Sequence, residues 1–225
     1  MPVPHRHRAL RLSLAVMLVT STLAACGGGG TEGDGGTAAG TATALSFDAA
    51  PALVAAPSPL PVAGSRNVCG DVRFGNRGIE NLQVPDGATC VLDRGVRIDG
   101  NLELGNGSQL FAREITVGGN VQGQRAALVV IESSRVGGNV QLDLGGAIAL
   151  RGLGVDGSIQ LVANGGAIEL DGNRVGSDIQ LFENRGGASL FDNVADGNLQ
   201  CKENRPAPTG SGNRAASKED QCGAL

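Results

Sequence analysis

Hydrophobic and polar residues alternate in short runs from about residue 66 to the end of the chain, and the runs recur every 19 or 20 residues. Each run begins with a short polar residue, here called the anchor, which is followed by an aliphatic and then a polar residue. The anchors are Asn81, Asn101, Asn120, Asn139, Ser158, Asp178 and Asn198. Period-two alternation predicts short strands with one buried face, and a fixed repeat of this length predicts a solenoid.

Apolar columns emerge when the coils are aligned on their anchors. One column follows the anchor directly, a second lies two residues further on, and a third lies three residues before the anchor. A single coil cannot close a core, but stacked coils can, because each strand pairs in parallel with its equivalent about 4.8 Å along. We therefore predict an all-β fold, a single-stranded parallel β-helix of six to seven coils over residues 66–225, with right-handed winding.

The polar positions of the repeat predict the turns between strands and one column of side chains that faces solvent. Gly100, Gly119, Gly138 and Gly157 precede their anchors, which predicts corners with positive φ. The anchor column itself resembles the asparagine ladders at the corners of known β-helices. Two residues after each anchor, a polar column is expected to face solvent: Gln83, Glu103, Gln122, Gln141, Gln160, Gln180 and Gln200.

This column, called the glutamine stripe below, has two interpretations. Glutamines stacked along a β-structure can hydrogen-bond to one another and stabilise it. Alternatively, the stripe is a flat binding surface for a glycan or another repetitive polymer. The stripe contains no aromatic residue, and this favours the stabilising role.

The first 25 residues have the order of a secretory signal, with basic residues, then an apolar run, then small residues. The apolar run is much shorter than the roughly 20 residues that a membrane-spanning helix needs. Leu23-Ala24-Ala25-Cys26 resembles the lipobox of bacterial lipoproteins, which implies that Cys26 is lipidated, becomes the first residue of the mature chain and anchors it to a membrane. Gly27, where many inner-membrane lipoproteins have an aspartate, favours the outer membrane. Residues 26–65 are rich in Gly, Ala and Pro and are predicted to be a disordered tether.

Two weaker resemblances concern the repeats. The Gly-Asp/Asn-Val corners are similar to those of bactofilins, filament-forming bacterial β-helices whose coils are shorter. The ending CKENRPAPTGSGNRAASKEDQC, with the repeats before it, resembles uncharacterised secreted bacterial proteins. Neither resemblance implies an activity.

The charge balance and the absence of certain residues from the mature chain argue against two classes of function. The chain has 18 basic and 22 acidic residues, and cleavage of the signal removes three arginines, so the mature chain has 15 basic residues and a net charge of −7. This balance disfavours nucleic-acid binding. Both histidines lie in the signal, so the mature chain has no Ser/His or Cys/His pair for nucleophilic catalysis.

Four cysteines remain after Cys26, and four cysteines allow three connectivities. Cys69 and Cys90 are 21 residues apart, as are Cys201 and Cys222, which is about one coil. Residues one coil apart are within disulfide reach, so we predict 69–90 and 201–222 bridges that cap the two ends. Capped ends predict a monomer, since unpaired strand edges recruit other chains.

One acidic group is the best candidate for a catalytic or calcium site. Asp171, Asp178, Asp192 and Asp196 could approach one another in the last coils, near Arg174 and Arg185. Acids at solenoid corners are usually only solvated, so we expect no enzyme activity, cofactor or metal. The sequence predicts an exported, membrane-anchored structural or interaction module, with an envelope glycan or protein as its partner. The alternative is a protein that binds or cleaves polysaccharides with this acidic group.

Overall fold

Three parallel sheets surround an apolar core in the computed structural model, which describes residues 45–52, 54–55 and 67–225. Sheet A contains β1 (Val54–Ala55), β3 (Val72–Phe74), β6 (Thr89–Leu92), β9 (Gln109–Arg113), β12 (Leu128–Glu132), β15 (Ala147–Arg151), β18 (Ile168–Asp171), β21 (Ala188–Phe191) and β24 (Thr209–Ser211). Sheet B contains β2 (Asn67–Val68), β5 (Leu82–Val84), β8 (Leu102–Leu104), β11 (Val121–Gln124), β14 (Val140–Asp143), β17 (Ile159–Val162), β20 (Ile179–Phe182), β23 (Asn198–Lys202) and β25 (Ser217–Asp220). Sheet C contains the two-residue strands β4 (Gly78–Ile79), β7 (Arg97–Ile98), β10 (Thr116–Val117), β13 (Arg135–Val136), β16 (Gly154–Val155), β19 (Arg174–Val175) and β22 (Val194–Ala195).

Equivalent residues of successive coils lie directly over one another. In sheet B, for example, Val140 pairs with Ile159 and Gln141 pairs with Gln160. The predicted parallel β-solenoid is therefore confirmed, but it has about eight turns rather than six to seven. The additional strands are at the ends, in β1 and β2 and in β24 and β25, where short or polar sequences carry little of the periodic signal.

The predicted apolar columns fill the interior. Val140, Leu142 and Leu150 are at most 2% exposed. Sheet A departs from simple alternation, because β12 buries Val129, Val130 and Ile131 in succession. Since alternate residues of a strand point to opposite faces, one column of sheet A must be covered from outside.

That cover comes from the segment that the sequence assigned to the tether. A turn of 3₁₀-helix, η1 (Phe47–Ala49), places Phe47 on sheet A, and β1 extends the sheet by pairing with β3. These residues therefore belong to the solenoid domain, which begins before the boundary drawn at residue 66. The signal segment, Cys26 and the rest of the tether lie outside the described residues.

Left-handed backbone occurs at corners other than those predicted. None of Gly100, Gly119, Gly138 and Gly157 has positive φ, so that prediction is wrong. After sheet B, positive φ is found at Arg125, Leu144, Ala163, Glu183 and Glu203. After sheet A, it is found at Glu114, Ser133, Gly152, Gly172, Asp192 and Gly212.

Candidate functional surfaces

The anchor residues form a ladder along the corner that leads into sheet B. Each anchor side-chain oxygen accepts a hydrogen bond from the backbone N–H of the anchor in the next coil. The bonds run from Asn101 to Asn81 (2.9 Å), Asn120 to Asn101 (2.8 Å), Asn139 to Asn120 (2.8 Å), Ser158 to Asn139 (2.8 Å), Asp178 to Ser158 (3.3 Å) and Asn198 to Asp178 (2.7 Å). Because only an acceptor oxygen is needed, Asn, Asp and Ser can exchange at this position.

Five of the seven anchors are preceded by a glycine, and the ladder requires it. A Cβ on Gly138 would lie 2.3 Å from Oδ1 of Asn120, and a Cβ on Gly157 would lie 2.3 Å from Oδ1 of Asn139. The two exceptions are Glu80, which precedes the first anchor, and Ser177, which follows the coil whose anchor is the shorter Ser158. A residue with a side chain thus stands before the anchor where the anchor of the preceding coil is short enough to leave room. The glycines are explained by the close approach of the preceding coil's anchor oxygen, and not by their backbone conformation.

The glutamine stripe is also a ladder. All its members are half-buried, and consecutive side-chain amides donate along the axis from Gln122 towards the C-terminal end. The Nε2 donors and their acceptors are Gln122 to Gln141 (2.8 Å), Gln141 to Gln160 (2.9 Å), Gln160 to Gln180 (3.0 Å), Gln180 to Gln200 (2.8 Å) and Gln200 to Glu219 (2.8 Å). Gln83 and Glu103 continue the column by register. The geometry supports the stabilising interpretation, because these amides already bond to one another.

A second outward column lies beside the stripe and was missed in the sequence. Asp143, Val162 and Phe182 occupy successive positions in it. Burial raises the pKa of the Asp143 carboxyl. Sheet B thus presents an aromatic side chain close to the stripe, although the stripe itself contains none.

The proposed acidic group is not assembled. Asp171 ends a strand of sheet A, Asp178 belongs to the anchor ladder, and Asp196 follows a strand of sheet C. Asp192 occupies a left-handed corner after sheet A. Within the described residues, no three carboxylate, Cys or His side chains are grouped closely enough to hold a metal ion. Nearness in the sequence of the last coils therefore did not bring all four carboxylates together.

Both predicted disulfides are present near the ends of the solenoid. Cys69 bonds to Cys90 with a Cα–Cα distance of 5.5 Å, and Cys201 bonds to Cys222 with a distance of 5.2 Å. All four are fully buried. Each bridge links adjacent coils, as the one-coil separation predicted.

Two buried asparagine ladders in the last coils were not anticipated. Asn184 donates from Nδ2 to the Leu161 carbonyl (2.9 Å) and to Oδ1 of Asn204 (2.9 Å), and it accepts from the backbone N–H of Asn164 (2.9 Å). At the C-terminal end, Gln221 accepts from the N–H of Asn204 (2.9 Å) and completes the ladder. The second ladder contains Asn173, Asn193 and Asn213. Their spacing of 20 residues was the available signal.

The cover of sheet A is held by both apolar and charged contacts. Phe47 is 3% exposed and packs on a column formed by Val91, Phe111, Val130 and Ala149. The guanidinium of Arg113 lies 4.2 Å from its ring centroid, within cation–π range. The backbone N–H of Phe47 donates a hydrogen bond to Glu132 Oε1 at 3.0 Å. We call residues 45–50, which carry these contacts, the latch.

The arginines of sheet A are bound by carboxylates. Arg151 bridges Glu132 (3.0 Å) and Glu169 (2.6 Å), and these contacts, led by the hydrogen bond to Glu169, raise the pKa of its guanidinium. Asp93 accepts from the Arg94 backbone N–H at 2.8 Å. This bond outweighs partial burial and, with Arg113 and Arg73, lowers the pKa of the Asp93 carboxyl.

Sheet C carries a different set of arginines beside an open groove. The groove has a volume of about 690 Å³. Arg135 and Arg174 lie on either side of Gly154, and Asp156 and Asp196 also line the groove. Asp196 and Arg174 were among the residues of the predicted acidic group, whereas the column of arginines was not anticipated.

Comparisons with protein-family models, curated proteins and solved structures gave no match to this chain. Among the described residues, no helix is both long and apolar enough to cross a membrane. The arguments about function below therefore depend on the sequence motifs and on these surfaces.

Proposed function

We propose that this chain is an exported bacterial lipoprotein, anchored through Cys26, whose solenoid serves as a structural or interaction module at the cell envelope. The observation that carries the proposal is the pair of disulfides near the two ends of the solenoid. Disulfides persist in oxidising compartments outside the cytosol, which agrees with the signal and the lipobox. An outer-membrane location is preferred because Gly27 follows the lipid-bearing cysteine.

The ladders support a display role. The anchor and stripe side chains of sheet B hydrogen-bond along the axis, and the arginines of sheet A bond to neighbouring carboxylates. Such pairing favours a stiff rod, because each coil is connected to the next by side chains as well as by the backbone. The disulfides fix the terminal coils, which supports a monomer over a growing filament.

Polysaccharide cleavage by the C-terminal acids is not favoured by the geometry. A glycoside-cleaving site needs two carboxylates on opposite sides of one bond. The four candidates are instead divided between two corners of the solenoid, with Asp171 and Asp192 at the end of sheet A and Asp178 and Asp196 between sheets C and B.

Metabolic labelling with palmitate tests the anchor. The wild-type chain is expected to incorporate label and to fractionate with membranes, whereas Cys26→Ser should do neither. Labelling of the serine variant would contradict the proposal. Light scattering of the purified chain should give a monomer, and filaments in negative-stain micrographs would contradict the capped rod.

A further inference from the structure

The outward column of sheet C alternates arginine with a smaller residue in successive coils. The column reads Arg97, Thr116, Arg135, Gly154, Arg174, Val194 and Arg214. All four arginines are exposed. Since neighbouring strands are about 4.8 Å apart, successive arginines are about 10 Å apart along a straight line. The rod thus presents a regular series of positive charges.

These arginines contrast with those of sheet A. Arg73, Arg113 and Arg151 each pair with a carboxylate. In the part of the chain that the structure describes, the side chains of the four arginines in the sheet C column make no ion pair or hydrogen bond with another residue. Their donors remain available although the chain as a whole is acidic, with 18 basic and 22 acidic residues.

The groove supplies space between two of these charges. Gly154 has no side chain, and a Cβ there would meet nothing closer than Arg135 Cγ at 3.9 Å. The volume of about 690 Å³ lies within the range of ligand clefts. Asp156 and Asp196 line the same groove and can accept hydrogen bonds from hydroxyl groups. The groove therefore combines anion-binding and hydroxyl-binding groups.

We propose that the sheet C column and its groove bind a linear glycan that carries one anionic group on every second sugar. The spacing of the arginines is close to the advance of an extended glycan over two pyranose units. The intervening sugar would lie over Thr116, Gly154 or Val194, where its hydroxyls meet the aspartates. A regular column of charges on a rod suits a regular polymer better than the irregular surface of a folded protein.

Denser polyanions fit this surface less well. A nucleic-acid strand has a phosphate about every 3.4 Å, so several phosphates would fall between two arginines and close to the aspartates.

The glycan-binding proposal rests on the proposed interaction role and names the surface and the ligand class for it. Binding by the purified chain does not depend on lipidation, so it can fail while the palmitate test succeeds, and the reverse also holds.

Fluorescence anisotropy with the full-length chain in detergent tests the proposal. The probe is labelled hyaluronan oligosaccharide, in which glucuronate alternates with a neutral sugar, long enough to span the four arginines. Oligogalacturonate with a carboxylate on every sugar, neutral chitin oligosaccharide and oligothymidylate serve as comparisons. We expect hyaluronan to bind at least tenfold more tightly than any of these.

Variants locate the site. Arg135→Ala and Arg174→Ala should each weaken hyaluronan binding about tenfold, because each removes one charge-assisted contact. Arg185→Ala, an exposed arginine at another corner, is the matched control and should bind as wild type. Gly154→Val fills the groove without changing its charge and should also weaken binding. The fold should tolerate this change, since Val194 occupies the equivalent position two coils away.

Several results would overturn the proposal. These are absence of hyaluronan binding, equal or tighter binding of oligothymidylate or oligogalacturonate, and Arg135→Ala and Arg174→Ala variants that bind as wild type. Thermal unfolding of each variant confirms that a loss of binding does not reflect a loss of the fold.

Discussion

Replacing Gly138 with alanine tests whether the glycines of the corner exist for close coil approach. The new Cβ would lie 2.3 Å from Asn120 Oδ1 and 2.9 Å from the Gly119 carbonyl oxygen. The Asn120 side chain would therefore have to move, abandoning its 2.8 Å bond from the Asn139 N–H. Because φ at Gly138 is not positive, backbone strain does not contribute.

The magnitude follows from three effects. Loss of a partner for a buried or half-buried N–H costs about 1–3 kcal/mol, and crowding against the carbonyl costs about 1–3 kcal/mol. Reduced freedom of the unfolded chain offsets about 0.4–1 kcal/mol of this. We expect Gly138→Ala to lower the free energy of unfolding by about 2–4 kcal/mol, measured by urea denaturation followed by far-UV circular dichroism.

Two controls make the test specific. Gly154→Ala places a Cβ in ordinary contact with Arg135 Cγ at 3.9 Å and should leave stability unchanged or raise it by up to about 1 kcal/mol. In an Asn120→Ser background, Gly138→Ala should lower the free energy of unfolding by about 1–2 kcal/mol less than it does in the wild type. The reason is that the two substituted residues would then resemble the natural combination of the short anchor Ser158 with Ser177 in the next coil. The reasoning would be refuted if Gly138→Ala were as stable as wild type, or if it cost the same in both backgrounds.

Three further outcomes are expected. Phe47→Ala should release the latch by removing a packing contribution of about 3 kcal/mol, so hydrogen exchange and proteolysis at residues 45–50 should speed up while the coils stay folded; unchanged protection would contradict the latch. Asn184→Ala should lower the free energy of unfolding by about 3–5 kcal/mol, because it leaves the Leu161 carbonyl and the Asn164 N–H without their partners; a loss below about 1 kcal/mol in urea denaturation would argue against the buried ladder. The lowered pKa of Asp93 predicts a contribution to stability that is present above the ordinary aspartate pKa and is lost as the pH falls through the folded-state value; acid titrations of wild type and Asp93→Asn should therefore converge at low pH, and parallel curves would contradict this.

The repeat made much of this fold accessible from the sequence. In a parallel solenoid, residues one coil apart in sequence are neighbours in space, so a column read from the sequence is a column in the structure. The disulfide pairs could be predicted for the same reason, since 21 residues is about one coil. The interchange of Asn, Ser and Asp at the anchors likewise reflects one local hydrogen bond that any of their oxygens can accept.

Features that do not follow the 19- or 20-residue period could be recognised only in the tertiary structure. Phe47 contacts Glu132 across 85 residues, and no repeat spacing relates the latch to the column that it covers. The acids near the C-terminal end share a short stretch of sequence but are divided between two corners, because one coil turns through all three sheets. Whether an outward arginine is paired, as Arg151 is, or available, as Arg174 is, depends on which side chains stack above and below it. Sequence periodicity therefore determined which residues form the columns. The contacts around and between the columns decided which side chains are covered, paired or available for binding, because those contacts depend on the size and charge of the neighbouring side chains.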